Sequence, residues 1–105
     1  MTATDGRLTT TGPVLVIGTG LLGASIGLAL SIGGVQVLLE DSSPSARALA
    51  RDLGAGVLTG EGSALPDVAL VVVAVPPDVT SAVVAQALRA HPAAVVTDVA
   101  SVKAV

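Results

Sequence analysis

Along the chain, short aliphatic runs alternate with longer segments in which apolar residues recur at helical spacing. Residues 13–17 are a compact aliphatic run and predict a first strand. Residues 21–32 predict a helix with Leu22, Ile26 and Ala29 on one face. Gly23 and Gly27, four apart, give that helix a smooth strip for close packing on a sheet, and Gly33-Gly34 ends it. Residues 35–40 read as a second strand, and Ser42-Ser43-Pro44 is a helix-start signal ahead of a helix over 45–53 closed by Gly54. Val57-Leu58 forms a short edge strand and residues 60–66 a loop. Residues 68–75 are aliphatic without alternation, as in a strand buried on both faces, and Pro76-Pro77 stops them abruptly. Asp78 and Thr80 are expected to cap the next helix, which reaches Ala90 with Val79, Val83, Ala87 and Ala90 inward. Residues 94–98 give the last strand.

This order predicts an α/β fold, a Rossmann-like doubly wound parallel sheet with right-handed crossovers and strand order 3-2-1-4-5, truncated after the fifth strand. The polar, Thr-rich residues 1–12 read as a flexible N-terminal tail, and 13–105 as a single dinucleotide-binding domain. Composition agrees: 51% of the 105 residues are hydrophobic, yet none is aromatic, so Val, Leu, Ile and Ala must fill the core. The absence of Cys excludes a disulfide framework and a thiolate nucleophile, and the single His91 excludes a His cluster, so no metal site is expected. A net charge of −3 with five basic residues argues against nucleic acid or an anionic membrane as partner. From Leu8 to Leu39 no residue is charged, but Gly18, Gly20, Gly23, Gly27, Gly33 and Gly34 interrupt that stretch and no basic cluster flanks it. A buried strand and helix of a cytoplasmic enzyme are therefore expected there, not a membrane span.

Candidate chemistry concentrates in Gly18-Thr19-Gly20-Leu21-Leu22-Gly23, a Gly-x-Gly-x-x-Gly hexad in strand–turn–helix context. Gly18 makes the turn off the strand, Gly20 admits a pyrophosphate close to the backbone, and Gly23 lets helix and sheet pack closely. The free N–H groups and positive dipole end of the helix would hold phosphate. Asp41 follows Gly18 by 23 residues, near the interval expected of an acid that accepts bonds from the adenosine ribose. Glu40 is the rival for that role, and a helix cap is the alternative role for Asp41. A carboxylate there favours NAD over NADP, although Arg47 and the two serines leave room for a 2′-phosphate and keep NADP as a second candidate.

Three segments, Gly18-Thr-Gly-Leu-Leu-Gly-Ala-Ser-Ile-Gly-Leu-Ala-Leu30, Val71-Val-Val-Ala-Val-Pro76 and Thr97-Asp-Val-Ala-Ser-Val-Lys103, together resemble the prephenate/arogenate dehydrogenase family of tyrosine biosynthesis. The first two are shared by many hydroxyacid-type dehydrogenases, and the third discriminates. The resemblance implies NAD(P)-dependent oxidative decarboxylation of prephenate to 4-hydroxyphenylpyruvate. It implies cofactor contacts from Gly18, Thr19, Gly20, Leu21, Leu22, Gly23 and Asp41, with Ala74, Val75, Pro76 and Pro77 lining the nicotinamide side. Ser101 would sit beside the substrate's ring hydroxyl and help orient a catalytic histidine. That histidine belongs to a His-Pro-Met-Ala-Gly segment downstream of the Ser-Val-Lys motif, which residues 1–105 do not contain. No catalytic residue is therefore expected within the chain, and the helical dimerisation domain that makes the family's homodimer is likewise expected to be absent. Ala24, Pro77 and Ala100 depart from the family's usual residues, the last two within the expected pocket.

His91-Pro92 reads as a solvated helix end and not as the catalytic segment. Ser101 also fits a plain helix cap, with Lys103 as surface charge. A different NAD(P)-dependent reductase of arogenate or hydroxyacid type, and a non-catalytic NAD-binding fragment, are the competing functions.

Overall fold

The computed structural model describes residues 12–59 and 67–99. Within them the elements run β1 (Val14–Ile17), α1 (Leu21–Ile32), β2 (Val37–Glu40), α2 (Pro44–Asp52), β3 (Val57–Leu58), β4 (Leu70–Val73), α3 (Pro77–Ala90) and β5 (Val95–Asp98). The expected tail, apart from Gly12, and the loop over 60–66 lie outside the described residues, as do Ala100, Ser101 and Lys103. All five strands are parallel in the order β3-β2-β1-β4-β5. This is the Rossmann-like order expected from the sequence.

The three inner strands, β1, β2 and β4, are aliphatic apart from Glu40 because both their faces are covered, whereas the edge strands β3 and β5 are largely exposed. Val14, Val16, Val37, Leu39 and Val72 face one way, against Ala24, Ile26 and Leu30 of α1 and Ala50 of α2. Leu15, Leu38, Val71 and Val73 face the other way, with Val83, Val84 and Ala87 of α3. Alternation by one residue thus feeds two apolar layers from each of the three inner strands. Each fully buried Val or Leu contributes about 1.5–3 kcal/mol by leaving water, which lets a core without aromatic rings suffice. The crossover direction reverses at β1: α1 and α2 carry the chain outward on one face, and α3 carries it the other way on the opposite face.

Several strand ends are shorter than the apolar pattern suggests, each for a hydrogen-bonding reason. Pro13 has no N–H, and its carbonyl accepts from Ala69 N at 2.9 Å just before the ladder begins. Val35 spends its N–H on Leu30 O (3.0 Å), closing the turn out of α1, so β2 starts later. Both α2 and α3 place a proline, Pro44 and Pro77, in the first turn, where a missing N–H costs nothing.

Three assignments of side-chain direction need correction. In α1 the buried residues are Gly23 and Gly27, while Leu22 is half-buried and Ala29 exposed. A helix with apolar residues almost all round does not declare its inner face by periodicity; here the absence of side chains sets the closest approach. In α3, Ala87 is buried and Val83 and Val84 are half-buried, but Val79 is 43% exposed and Ala90 is exposed. Finally, no side chain caps α3: Pro76 is its N-cap residue, and Thr80 Oγ1 donates backward to Pro76 O at 3.1 Å. Asp78 stands in the first turn, where it complements the helix dipole.

Candidate nucleotide site at the carboxyl ends of the strands

The site is assembled where β1 ends between β2 and β4. Pairing continues one residue past the strands: Gly18 N donates to Glu40 O and Ala74 N donates to Ile17 O, both at 2.8 Å. Gly18 then turns with φ of +98°, and a Cβ on it would lie 2.5 Å from the carbonyl oxygen of Ala74. Glycine is therefore required here twice, by conformation and by space. The chain enters α1 through Gly20, whose carbonyl accepts the first helical bond from Ala24 N at 2.8 Å. No side chain caps this helix end, and its first turn holds no acidic residue. The N–H groups of the opening turn, which have no partner within the helix, remain for solvent or an anion.

Gly23 is buried against the turn it follows. A Cβ there would fall 1.8 Å from the carbonyl oxygen of Gly18, with Ala74 Cβ at 3.3 Å. Gly20 is the opposite case, exposed, with nothing within 4 Å of an added Cβ. The three glycines of the hexad thus divide into two that close the structure and one that leaves its surface open.

Beside the turn stands Asp41. Its Oδ2 accepts from Thr19 N at 2.6 Å and from Thr19 Oγ1 at 2.9 Å, and its Oδ1 accepts from Ser43 N at 2.7 Å. Asp41 is not the cap of α2: Ser43 is, its hydroxyl accepting from Ala46 N at 3.3 Å. Thr19 is 5% exposed and is the buried polar residue of the described structure. Desolvation is the largest single influence on the Asp41 carboxyl and raises its pKa. The N–H bonds from Thr19 and Ser43, the Thr19 hydroxyl and the Arg47 charge together outweigh it and leave the group below its ordinary value of 3.8.

A depressed folded-state pKa means stability that is present above the unfolded value, near pH 4, and lost as pH falls through the folded one. Urea midpoints measured from pH 7 to pH 2 should fall below about pH 4, and Asp41→Asn should start lower and lose its share of that slope. An amide cannot replace this carboxylate, because both oxygens accept a backbone N–H and an Asn NH2 would oppose one of them.

A cleft of about 1000 Å³ runs from this edge along α3 as far as Ala90, His91 and Asp67. Gly18, Gly20, Asp41, Ala74, Val75 and Pro76 line it, so six of the residues singled out from sequence border one cleft. Thr19 and Gly23 are buried, Leu22 is half-buried, and Leu21 (89% exposed) and Pro77 stand out in solvent. Glu40, Ser42 and Ala46 also border the cleft, as do Val79, Val83 and Ala90 along α3, where the two residues misjudged as core are found. His91 is the C-cap residue of α3, roughly 20 Å by helical rise from Pro76, but it is half-buried and lines the far end of the same cleft, so the solvated position expected of it needs correction. Its backbone N–H bonds Ala87 O at 2.9 Å, as a helix-end residue should. Among the described residues there is no group of three or more His, Cys, Asp or Glu side chains suited to a metal ion, and no helix long and apolar enough to cross a membrane.

Sequence reasoning missed the Thr19–Asp41 contact. The β1–β2 register, which sets Ile17 opposite Glu40, brings Gly18 beside Asp41, and the turn at Gly18 then presents Thr19 to it.

A glycine turn feeding an uncapped helix start, at the point where the order of a parallel sheet reverses, defines a nucleotide-binding α/β domain. The family model of the prephenate dehydrogenase nucleotide-binding domain matches residues 26–105, and the chain belongs to that family. It is also 43% identical over 89 residues to a probable prephenate dehydrogenase, NovF, of Streptomyces niveus, an alignment covering 85% of this chain. That alignment takes in 24% of the relative, so the chain spans about a quarter of that protein's length.

Proposed function

We propose that this domain is the cofactor-binding part of a prephenate dehydrogenase, an enzyme that oxidatively decarboxylates prephenate to 4-hydroxyphenylpyruvate. The observation that carries the reading is the open helix start beside Gly20, bordered by the cleft and by Asp41. These features fit a dinucleotide: N–H donors without side-chain competition for the pyrophosphate, and space above Gly20 for its approach. Gly18, Thr19, Gly20, Leu21, Leu22 and Gly23 form the pyrophosphate seat, and Asp41 borders the ribose. Ala74, Val75, Pro76 and Pro77 wall the nicotinamide side. A bound NAD supplies the hydride acceptor for oxidation of the substrate ring. The Asp41 charge opposes a 2′-phosphate and favours NAD, with NADP as the weaker ligand.

Family membership supports the remaining assignments. Ser101 lies beside the ring hydroxyl of the substrate, and the base is a histidine of the family's His-Pro-Met-Ala-Gly segment. The whole protein works as a cytoplasmic homodimer in tyrosine biosynthesis, with residues 13–105 as its nucleotide-binding domain.

Calorimetric titration of the 105-residue chain with NAD, NADP and ADP tests the reading. Binding of NAD and ADP, stronger than of NADP, with no NADH formed on adding prephenate, is the expected result. Failure of all three nucleotides to bind would overturn the cofactor assignment, and prephenate-dependent NADH formation by this chain would overturn the placing of the base elsewhere.

A further inference from the structure

An acid at the end of the second strand of a nucleotide-binding sheet is expected to offer its carboxylate to the ribose. In this chain the carboxylate is largely taken. Of roughly four acceptor positions on its two oxygens, three are filled from within the protein. Two of those bonds come from Thr19, the residue between Gly18 and Gly20, through its peptide N–H and its hydroxyl. The third comes from Ser43, which begins α2. One carboxylate therefore joins the glycine turn, the end of β2 and the start of α2.

The consequence falls on the turn. Gly18 is tied to Glu40 and Gly20 to Ala24 through the backbone, and between them the Thr19 peptide is held by Asp41. With Thr19 5% exposed and both its N–H and its hydroxyl bound to Asp41, that peptide has one orientation. The N–H groups of the opening turn of α1 follow directly from it.

We propose that Asp41 acts chiefly as a positioning residue for the pyrophosphate seat, through Thr19, and only secondarily as a ribose ligand. The proposal rests on the nucleotide-binding reading above, and it differs from that reading in which part of the nucleotide feels the loss of Asp41.

The test compares ADP with 2′-deoxy-ADP in calorimetric titrations of the wild-type chain, Asp41→Asn, Thr19→Val, Thr19→Ser and the Asp41→Asn/Thr19→Val double variant. If Asp41 positions the turn, Asp41→Asn weakens both nucleotides by the same factor, about tenfold. Thr19→Val also weakens both, Thr19→Ser restores wild-type affinity, and the double variant is no worse than Asp41→Asn alone. A loss confined to ADP, with 2′-deoxy-ADP unaffected and Thr19→Val silent, would make Asp41 a ribose ligand and overturn the proposal while leaving the nucleotide site standing. If wild type binds neither nucleotide, the site reading falls and the positioning role falls with it. Should Asp41→Asn fail to fold, Thr19→Val against Thr19→Ser decides by itself. In the wild-type chain the Thr19 amide should be protected from hydrogen exchange, and free exchange there would also overturn the proposal.

Discussion

Gly23→Ala should destabilise the chain by about 3 kcal/mol or more, seen as a large fall in the urea midpoint or as failure to fold. The added methyl would sit 1.8 Å from the Gly18 carbonyl oxygen, a backbone atom of a residue whose own N–H is bonded to Glu40 O and whose neighbour Ile17 is bonded to Ala74 N. No rotamer change relieves such an overlap, since Ala has none. The helix must move away from the sheet, and with it the apolar contacts of Ala24, Ile26 and Leu30. Helix propensity works in the other direction, favouring Ala over Gly by about 1 kcal/mol, and is outweighed. A midpoint equal to wild type would show that α1 does not approach the turn this closely.

Gly20→Val should separate folding from binding. Nothing lies within 4 Å of a Cβ at Gly20, so the variant should fold, losing about 1 kcal/mol or less because Val is a poor N-cap residue. The isopropyl group would occupy the space above the helix start that the phosphates need. ADP and NAD affinity should fall about a hundredfold or more, equivalent to about 2.7 kcal/mol. Calorimetry on the folded variant checks this, and unchanged affinity would remove the pyrophosphate from this position. Together the two variants assign opposite duties to glycines three residues apart in one motif.

Much of the fold was legible because a parallel sheet covered on both faces leaves a blunt pattern. Val71, Val72 and Val73 had to be interior from both sides, and the reversal of strand order followed from right-handed crossovers. The hexad was legible from local context, and Gly18 and Gly23 carry the conformational and packing roles expected of them. What escaped depended on which of several equivalent side chains wins a contact. Asp41 and Ser43 were both able to cap α2, and the turn geometry gave the cap to Ser43 and the turn N–H to Asp41. Val79 and Ala90 share the helical stripe of Val83 and Ala87, yet only Val83, Val84 and Ala87, in the middle turns of α3, pack with the core, and Val79 and Ala90 stay exposed. Thr19, a variable position of the hexad, became the partner of an acid 22 residues away through strand register and the turn at Gly18.

The place of β1 at the centre of the sheet also bears on how the chain is made. Its pairing with β2 is completed soon after synthesis, but Val14 pairs on its other side with Leu70. At ribosomal speeds of about 5–20 residues per second, the central strand waits on the order of 3–11 seconds for its second neighbour. During that interval an aliphatic edge, Val14–Ile17, is exposed to whatever strand arrives first. Slow translation lengthens that interval and should therefore lower the yield of folded chain, read as the soluble fraction. The hazard in this domain is temporal, set by the distance between two strands that end as neighbours.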